Sequence, residues 1–308
     1  MLEWSRLLRV ASVALLCLMF SVSHAAIEVQ DDAGHTVVLQ QPAQRIISMA
    51  PHVTELLFAA GGGNRVVGAM NFSDYPAAAK RLPQIGSNAQ VDIERVIALK
   101  PDLVIVWQSG TAARQIEQMR QLGLPIFYSE PQQLDDIATS LLRFGQLMGT
   151  DAVAQEAART FRQQIAALTK QYAQRPPVRV FYQIWDQPLY TLGGRHIVSA
   201  AIGLCGGQNI FGAFKVAAPS VGIEAVLVAN PEVILGGLLH EQREQSERGI
   251  DLWRPYASLL AVKRGNLFRL DGQLLMRAGP RMAQGIALMC EKLELARQRR
   301  QASVHGEL

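Results

Sequence analysis

The chain has 308 residues, of which 49% are hydrophobic and 18% charged, with a formal net charge of +4. That composition excludes a disordered chain, and the length suggests two domains. The positive charge is scattered among acidic residues rather than gathered into a stripe, which argues against nucleic-acid binding.

Arg6 and Arg9 open the chain, and a clean apolar run from Val10 to Val22 follows. Ser23 and Ala25 put small residues at the two positions a signal peptidase reads. Residues 1–25 are therefore expected to be a cleaved secretory signal that delivers the protein to the periplasm. The apolar run is short for a membrane span, which needs roughly 20 such residues. Leu16 is too large to precede a lipidated cysteine, so Cys17 is not expected to carry an anchor.

Residues 27–40 alternate loosely about the turn signal Asp31-Asp32-Ala33-Gly34. Residues 45–49 are predicted as a strand, and 54–60 as a helix stopped by Gly61-Gly62-Gly63. Strands at 66–69, 103–107 and 126–128 then alternate with helices at 91–99, 112–122 and 134–148. Such alternation predicts a parallel sheet covered by helices.

Residues 151–174 contain no Gly or Pro and place Ala154, Ala157, Ala158, Phe161, Ile165 and Leu168 at helical spacing. One helix of about 36 Å is expected there. Past Pro176-Pro177 the alternation restarts, with strands at 178–184, 233–235 and 267–270. Helices are expected at 197–204, 223–229, 253–259 and 281–295. Residues 296–308, basic through Arg297, Arg299 and Arg300, read as a disordered tail.

A weak repeat crosses the chain. Ile93-Glu94-Arg95-Val96 and Pro101-Asp102-Leu103-Val104-Ile105 recur as Ile223-Glu224-Ala225-Val226 and Pro231-Glu232-Val233-Ile234-Leu235. Each copy reads as a short helix opening on a glutamate, a proline turn and a buried strand. The resulting expectation is an α/β protein with two Rossmann-like lobes and parallel sheets, 26–148 and 176–295, joined by the linker helix of 149–175. A helical strut of that kind permits only small closure angles, so the cleft should be largely preformed.

No HExxH, GxSxG or P-loop pattern is present. His52 and Glu55 are spaced to seat a metal, although a histidine at a helix start is more often a polar cap. A binder without cofactor fits these residues better than an enzyme. Cys205 and Cys290 remain after the signal, either as one disulfide in an oxidising compartment or as two buried thiols. Trp107 and Trp185 end strands, where clefts of α/β sheets lie, the alternative for either being a place in the core.

Further segments are informative together: Arg45-Ile-Ile-Ser-Met-Ala-Pro-His-Val-Thr-Glu-Leu-Leu-Phe-Ala-Ala-Gly61, Ser73-Asp74-Tyr75-Pro76, Leu204-Cys205-Gly206-Gly207-Gln208-Asn209-Ile210-Phe211 and Arg277-Ala278-Gly279-Pro280-Arg281. With these and the repeat, the mature chain resembles the class III periplasmic binding proteins, which have a single-helix hinge. They serve ABC importers of cobalamin, haem and ferric siderophores, and the cobalamin-binding members are the most similar.

The resemblance implies a monomer that takes cobalamin, or another corrinoid, between its lobes as transported ligand. It implies delivery to a permease and ATPase complex of the BtuC/BtuD kind. It also implies a Cys205–Cys290 disulfide, ligand contacts from Phe72 and from Gln273, Leu274, Leu275, Met276 and Arg277, and permease docking through Glu94 and Glu224. Those two glutamates have a plainer explanation as first-turn carboxylates favoured by the helix dipole. Asn88 and Ala218 stand where the cobalamin binders have cleft tryptophans, and Gln273 where they have an aspartate. These departures keep haem or a ferric siderophore open as the ligand, and a metal-dependent enzyme using His52 and Glu55 as a more distant reading.

Overall fold

The computed structural model describes residues 26–237 and 249–304. The expected signal, 1–25, and the chain end, 305–308, lie outside the described residues. An antiparallel pair, β1 (Ile27–Gln30) and β2 (Thr36–Leu39), opens the fold. The Asp31 carboxylate makes its turn by accepting the backbone N–H of Ala33 at 2.9 Å and of His35 at 2.8 Å.

The first sheet holds β3 (Ile46–Ser48), β4 (Val66–Ala69), β5 (Leu103–Trp107) and β6 (Ile126–Ser129), in the order β4-β3-β5-β6 and all parallel. Its helices are α1 (Pro51–Ala59), α2 (Ile93–Ala98), α3 (Ala113–Gln121) and α4 (Leu134–Met148). α1 starts at Pro51, earlier than expected. Proline suits a first helical turn because the N–H it lacks would have no helical partner there. Leu103 to Val106 are all buried, as a central parallel strand requires.

Helix α5 (Asp151–Tyr172) follows, 22 residues or about 33 Å long. It buries Ala154, Ala158, Phe161 and Tyr172 and turns its polar face to solvent. Beyond it a second parallel sheet holds β7 (Val178–Gln183), β10 (Gly207–Asn209), β11 (Val233–Gly236) and β12 (Leu267–Arg269), in the order β10-β7-β11-β12. A short hairpin, β8 (Trp185–Asp186) and β9 (Leu189–Tyr190), hangs from the end of β7.

The two sheets share one topology. In each, the second strand lies outside the first, and the third and fourth follow on the other side. The sequence repeat lands at equivalent places: one copy forms α2 and β5, the other α7 (Ile223–Ala229) and β11. A single apolar core runs from Ile46 and Phe127 through Phe161 and Tyr172 of α5 to Val180 and Leu293. Two smaller clusters, around Val104 and around Trp253, cover the outer faces of the two sheets.

The remaining helices are α6 (Ile197–Leu204), α8 (Leu260–Lys263), α9 (Gly272–Leu275) and α10 (Met282–Val304). The helix expected at 253–259 does not form. A 3-10 turn ends at Trp253 and α8 starts only at Leu260, because Pro255 lacks the N–H a helix needs and biases Arg254 away from the helical region. Residues 296–304 are helical rather than disordered. Arg297 is 4% exposed. Its guanidinium donates to the carbonyls of Pro176 at 2.8 Å and of Cys205 at 2.7 Å. Arg299 and Arg300 likewise donate to the carbonyls of Gly265 and Pro177. The basic residues are helix-to-loop ties, which is why they carry no apolar period.

Cys205, after α6, and Cys290, on α10, form a disulfide with Cα atoms 4.8 Å apart. Both residues are fully buried. The bridge closes 85 residues, which contributes about 4–5 kcal/mol in a chain-entropy treatment.

Candidate functional site

Parallel sheets present ligand sites at the carboxyl ends of their strands, where strand order reverses. In the first sheet that point lies between β3 and β5. Trp107 ends β5 there, half-buried. Its indole packs over Gly110, where any Cβ would clash with the ring, so glycine is required below this wall. The His52 ring meets Trp107 edge-on, with centroids 5.7 Å apart and an interplanar angle of 87°. His52 sits in the first turn of α1, just past the end of β3, and its Nε2 is buried without a hydrogen-bond partner. Burial, and then the Arg277 cation, push its pKa down to about 4.

A network of charges joins the two lobes beside this wall. Glu55, on the face of α1 that also carries His52, is 2% exposed on its side chain. Arg281 donates to it through Nε at 2.9 Å, and Arg277 reaches it at 3.5 Å. Arg277 also donates to Asp74 Oδ1 at 2.6 Å and to the Phe72 carbonyl at 3.1 Å. Arg281 lies over the Tyr75 ring, 3.9 Å from its centroid. Burial alone would raise the Asp74 carboxyl, but the Arg277 guanidinium outweighs it and holds the group below its ordinary value.

The 72–75 loop is seated by hydroxyls. Thr54 donates to Ser73 at 3.0 Å, and Ser48 pairs with Thr54 at 2.7 Å. Phe72 adopts a left-handed conformation, φ 66°, that side-chain-bearing residues seldom take. Its ring is 51% exposed. The backbone is thus turned to give its carbonyl to Arg277 and its ring to solvent.

On the second lobe, Asp271 caps α9 by accepting the Gln273 N–H at 2.9 Å. The 273–277 segment is less available than expected. Leu275 is fully buried in the shared core and packs there rather than facing a ligand. Gln273 is also buried, and Arg277 is committed to Glu55 and Asp74, whereas Leu274 and Met276 are half-buried. Trp185 lies half-buried at the start of β8, and its indole N–H donates to the Gln187 carbonyl at 2.9 Å. Asn88 and Ala218 are exposed.

Glu94 and Glu224 occupy matching exposed positions in the first turns of α2 and α7. Each has an exposed aliphatic neighbour on its helix, Ile97 in one case and Val228 in the other. Beside Glu94 opens a hollow of about 820 Å3 bordered by Asn71, Gln90, Arg114 and Gln115.

Sequence reasoning paired His52 with Glu55 as a metal seat. The structure gives both Glu55 oxygens to arginines instead. Among the described residues no cluster of three His, Cys, Asp or Glu groups stands ready for a metal. The signal for the true pairing was a buried glutamate facing two arginines four apart, but the partners are separated by 222 and 226 residues.

Two lobes of one topology, a helical strut, and an aromatic and charged seam between them define a solute-binding protein. The profile of the periplasmic binding protein family matches residues 46–274, and the chain belongs to that family. It is 38% identical to the vitamin B12-binding protein of Vibrio cholerae over 256 residues, 83% of this chain and 91% of the relative. The corresponding protein of Yersinia pestis is 36% identical over 253 residues, 82% of this chain and 87% of that protein. The crystal structure of periplasmic vitamin B12 binding protein BtuF of Vibrio cholerae superposes with a TM-score of 0.76 at 37% identity, covering 83% of this chain and 98% of that one. The apo periplasmic heme-binding protein RhuT of Roseiflexus sp. RS-1 has the same fold, with a TM-score of 0.72 at 26% identity, covering 82% of this chain and 99% of that one.

Proposed function

We propose that this protein, exported by its first 25 residues, binds cobalamin or a related corrinoid between its lobes and delivers it to an inner-membrane ABC permease. The observation that carries this reading is the pairing of an aromatic wall with a seam whose charges are internally matched. Trp107 and Phe72 offer flat apolar surface on one lobe, and Trp185 offers it on the other. A corrin is a broad disc edged with amides, and it suits such walls with a few directed polar groups. The named relatives at 36–38% identity support the same ligand. The role is that of a carrier: of the pair whose spacing suggested a metal seat, Glu55 is spent on the arginines of the other lobe and His52 packs against Trp107. Glu94 and Glu224 are the groups that dock on the permease.

Titration of the purified protein with cyanocobalamin, followed by tryptophan fluorescence and calorimetry, tests this. A one-to-one isotherm with quenching is expected, weakened about tenfold by Trp107→Ala, since an aromatic contact is worth about 0.5–1.5 kcal/mol beyond the apolar area it buries and about 1.4 kcal/mol is tenfold in affinity. No heat and no quenching would remove the corrinoid assignment and leave the family and fold intact.

A further inference from the structure

The seam holds two guanidiniums and two carboxylates, and each cation has its own anion. Arg281 pairs with Glu55, and Arg277 pairs with Asp74 at 2.6 Å while sharing Glu55 at 3.5 Å. Arg277 is 5% exposed on its side chain, so water does little to screen it. Asp74 is the accessible member, 37% exposed, two residues from the exposed ring of Phe72. An arginine in a half-dry cleft attracts any anionic ligand unless its charge is already spent, because a charge interaction strengthens as the dielectric falls.

We propose that Asp74, with Glu55 behind it, sets the charge selectivity of the cleft: by occupying Arg277 and Arg281 it withholds them from anionic tetrapyrroles and leaves a cleft suited to a neutral corrinoid. This rests on the reading of the protein as a corrinoid binder, and it adds a reason for rejecting haem within a fold that haem binders share. The corrin amides need hydrogen-bond partners but no counter-charge, whereas the two propionates of haem need cations. Arg277 gives three of its five N–H donors to Asp74, Glu55 and the Phe72 carbonyl, and both carboxylates set their charge against its own. Loss of the Asp74 charge leaves Arg277 a shared and longer contact with Glu55 as its one anionic partner, beside the neutral Phe72 carbonyl, and the surplus positive charge faces the cleft.

The test is a paired titration with cyanocobalamin and with haemin, read as the ratio of the two dissociation constants. Wild type is expected to favour cyanocobalamin. Asp74→Asn, which keeps the shape and removes the charge, is expected to shift the ratio toward haemin at least about tenfold, and high salt should erase most of the gain. Asp74→Ser serves if the asparagine variant misfolds, and Arg277→Gln should move the ratio the other way. A ratio within about twofold of wild type in both Asp74 variants overturns the charge-selectivity proposal while leaving cobalamin as the ligand. Tight haemin binding by wild type, with none of cyanocobalamin, overturns the ligand assignment and this proposal with it. The comparison of fold-changes rests on one tenfold step being 1.4 kcal/mol.

Discussion

His52 shows what a single buried group does to the pH response. Its pKa lies near 4 in the fold, against 6.5 for a free side chain. Between those values the unfolded chain binds a proton that the folded chain refuses. Stability therefore falls as pH drops from about 6.5 toward about 4, by on the order of 3 kcal/mol from this residue. His196 adds in the same direction: its Nδ1 caps α6 by accepting the Val198 N–H, and protonation removes that acceptor. His52→Gln has no proton to take up, so its urea-unfolding free energy should decline by about 2 kcal/mol less than wild type between about pH 7 and about pH 4.5. Parallel curves would show that the imidazole is hydrated or mobile in solution.

At the scale of elements, α10 behaves as a clamp on the second lobe. Arg297 satisfies carbonyls at both the start of that lobe and the end of α6. Arg297→Ala should cost about 3 kcal/mol, because buried carbonyls lose a charged donor. Equilibrium unfolding in urea reads this directly, and a change below about 0.5 kcal/mol would return 296–304 to the status of a dispensable extension. The body of this helix was legible at 281–295, but its last turns over 296–304 were not, since apolar period was the signal sought and those turns are held by polar side chains reaching loops. The repeat at 93–105 and 223–235 was legible, and it foretold equivalent strands in two sheets. Its helix–proline–strand units are local, so they need no partner to be recognised. Pro255 shows the converse: apolar spacing over 253–259 suggested a helix that one missing N–H forbids. The seam lay beyond reach for another reason. Glu55 could be suspected of burial, but nothing local joins it to arginines more than two hundred residues away.

For the whole molecule, the continuous core through α5 makes the lobes and strut one packed body rather than two beads on a hinge. Interior packing of that kind resists large rearrangement. The exposed glutamates on α2 and α7 are thereby held at a fixed separation. Reversal of both, in Glu94→Lys with Glu224→Lys, should abolish corrinoid uptake by cells yet leave cyanocobalamin affinity within about threefold. Loss of affinity along with uptake would mean that these residues act at the cleft and not at the permease.

The buried Cys205–Cys290 bridge ties the lobe's first helix to its last and closes 85 residues of chain. Its contribution of about 4–5 kcal/mol is a large share of a typical domain's total stability. That contribution exists only where thiols are oxidised. On the export route proposed above, a precursor in a reducing cytoplasm lacks it and is correspondingly easier to unwind through a translocation channel. After crossing, oxidation makes the fold harder to undo. The same two cysteines leave transit cheap while they are reduced and make residence durable once they are bridged.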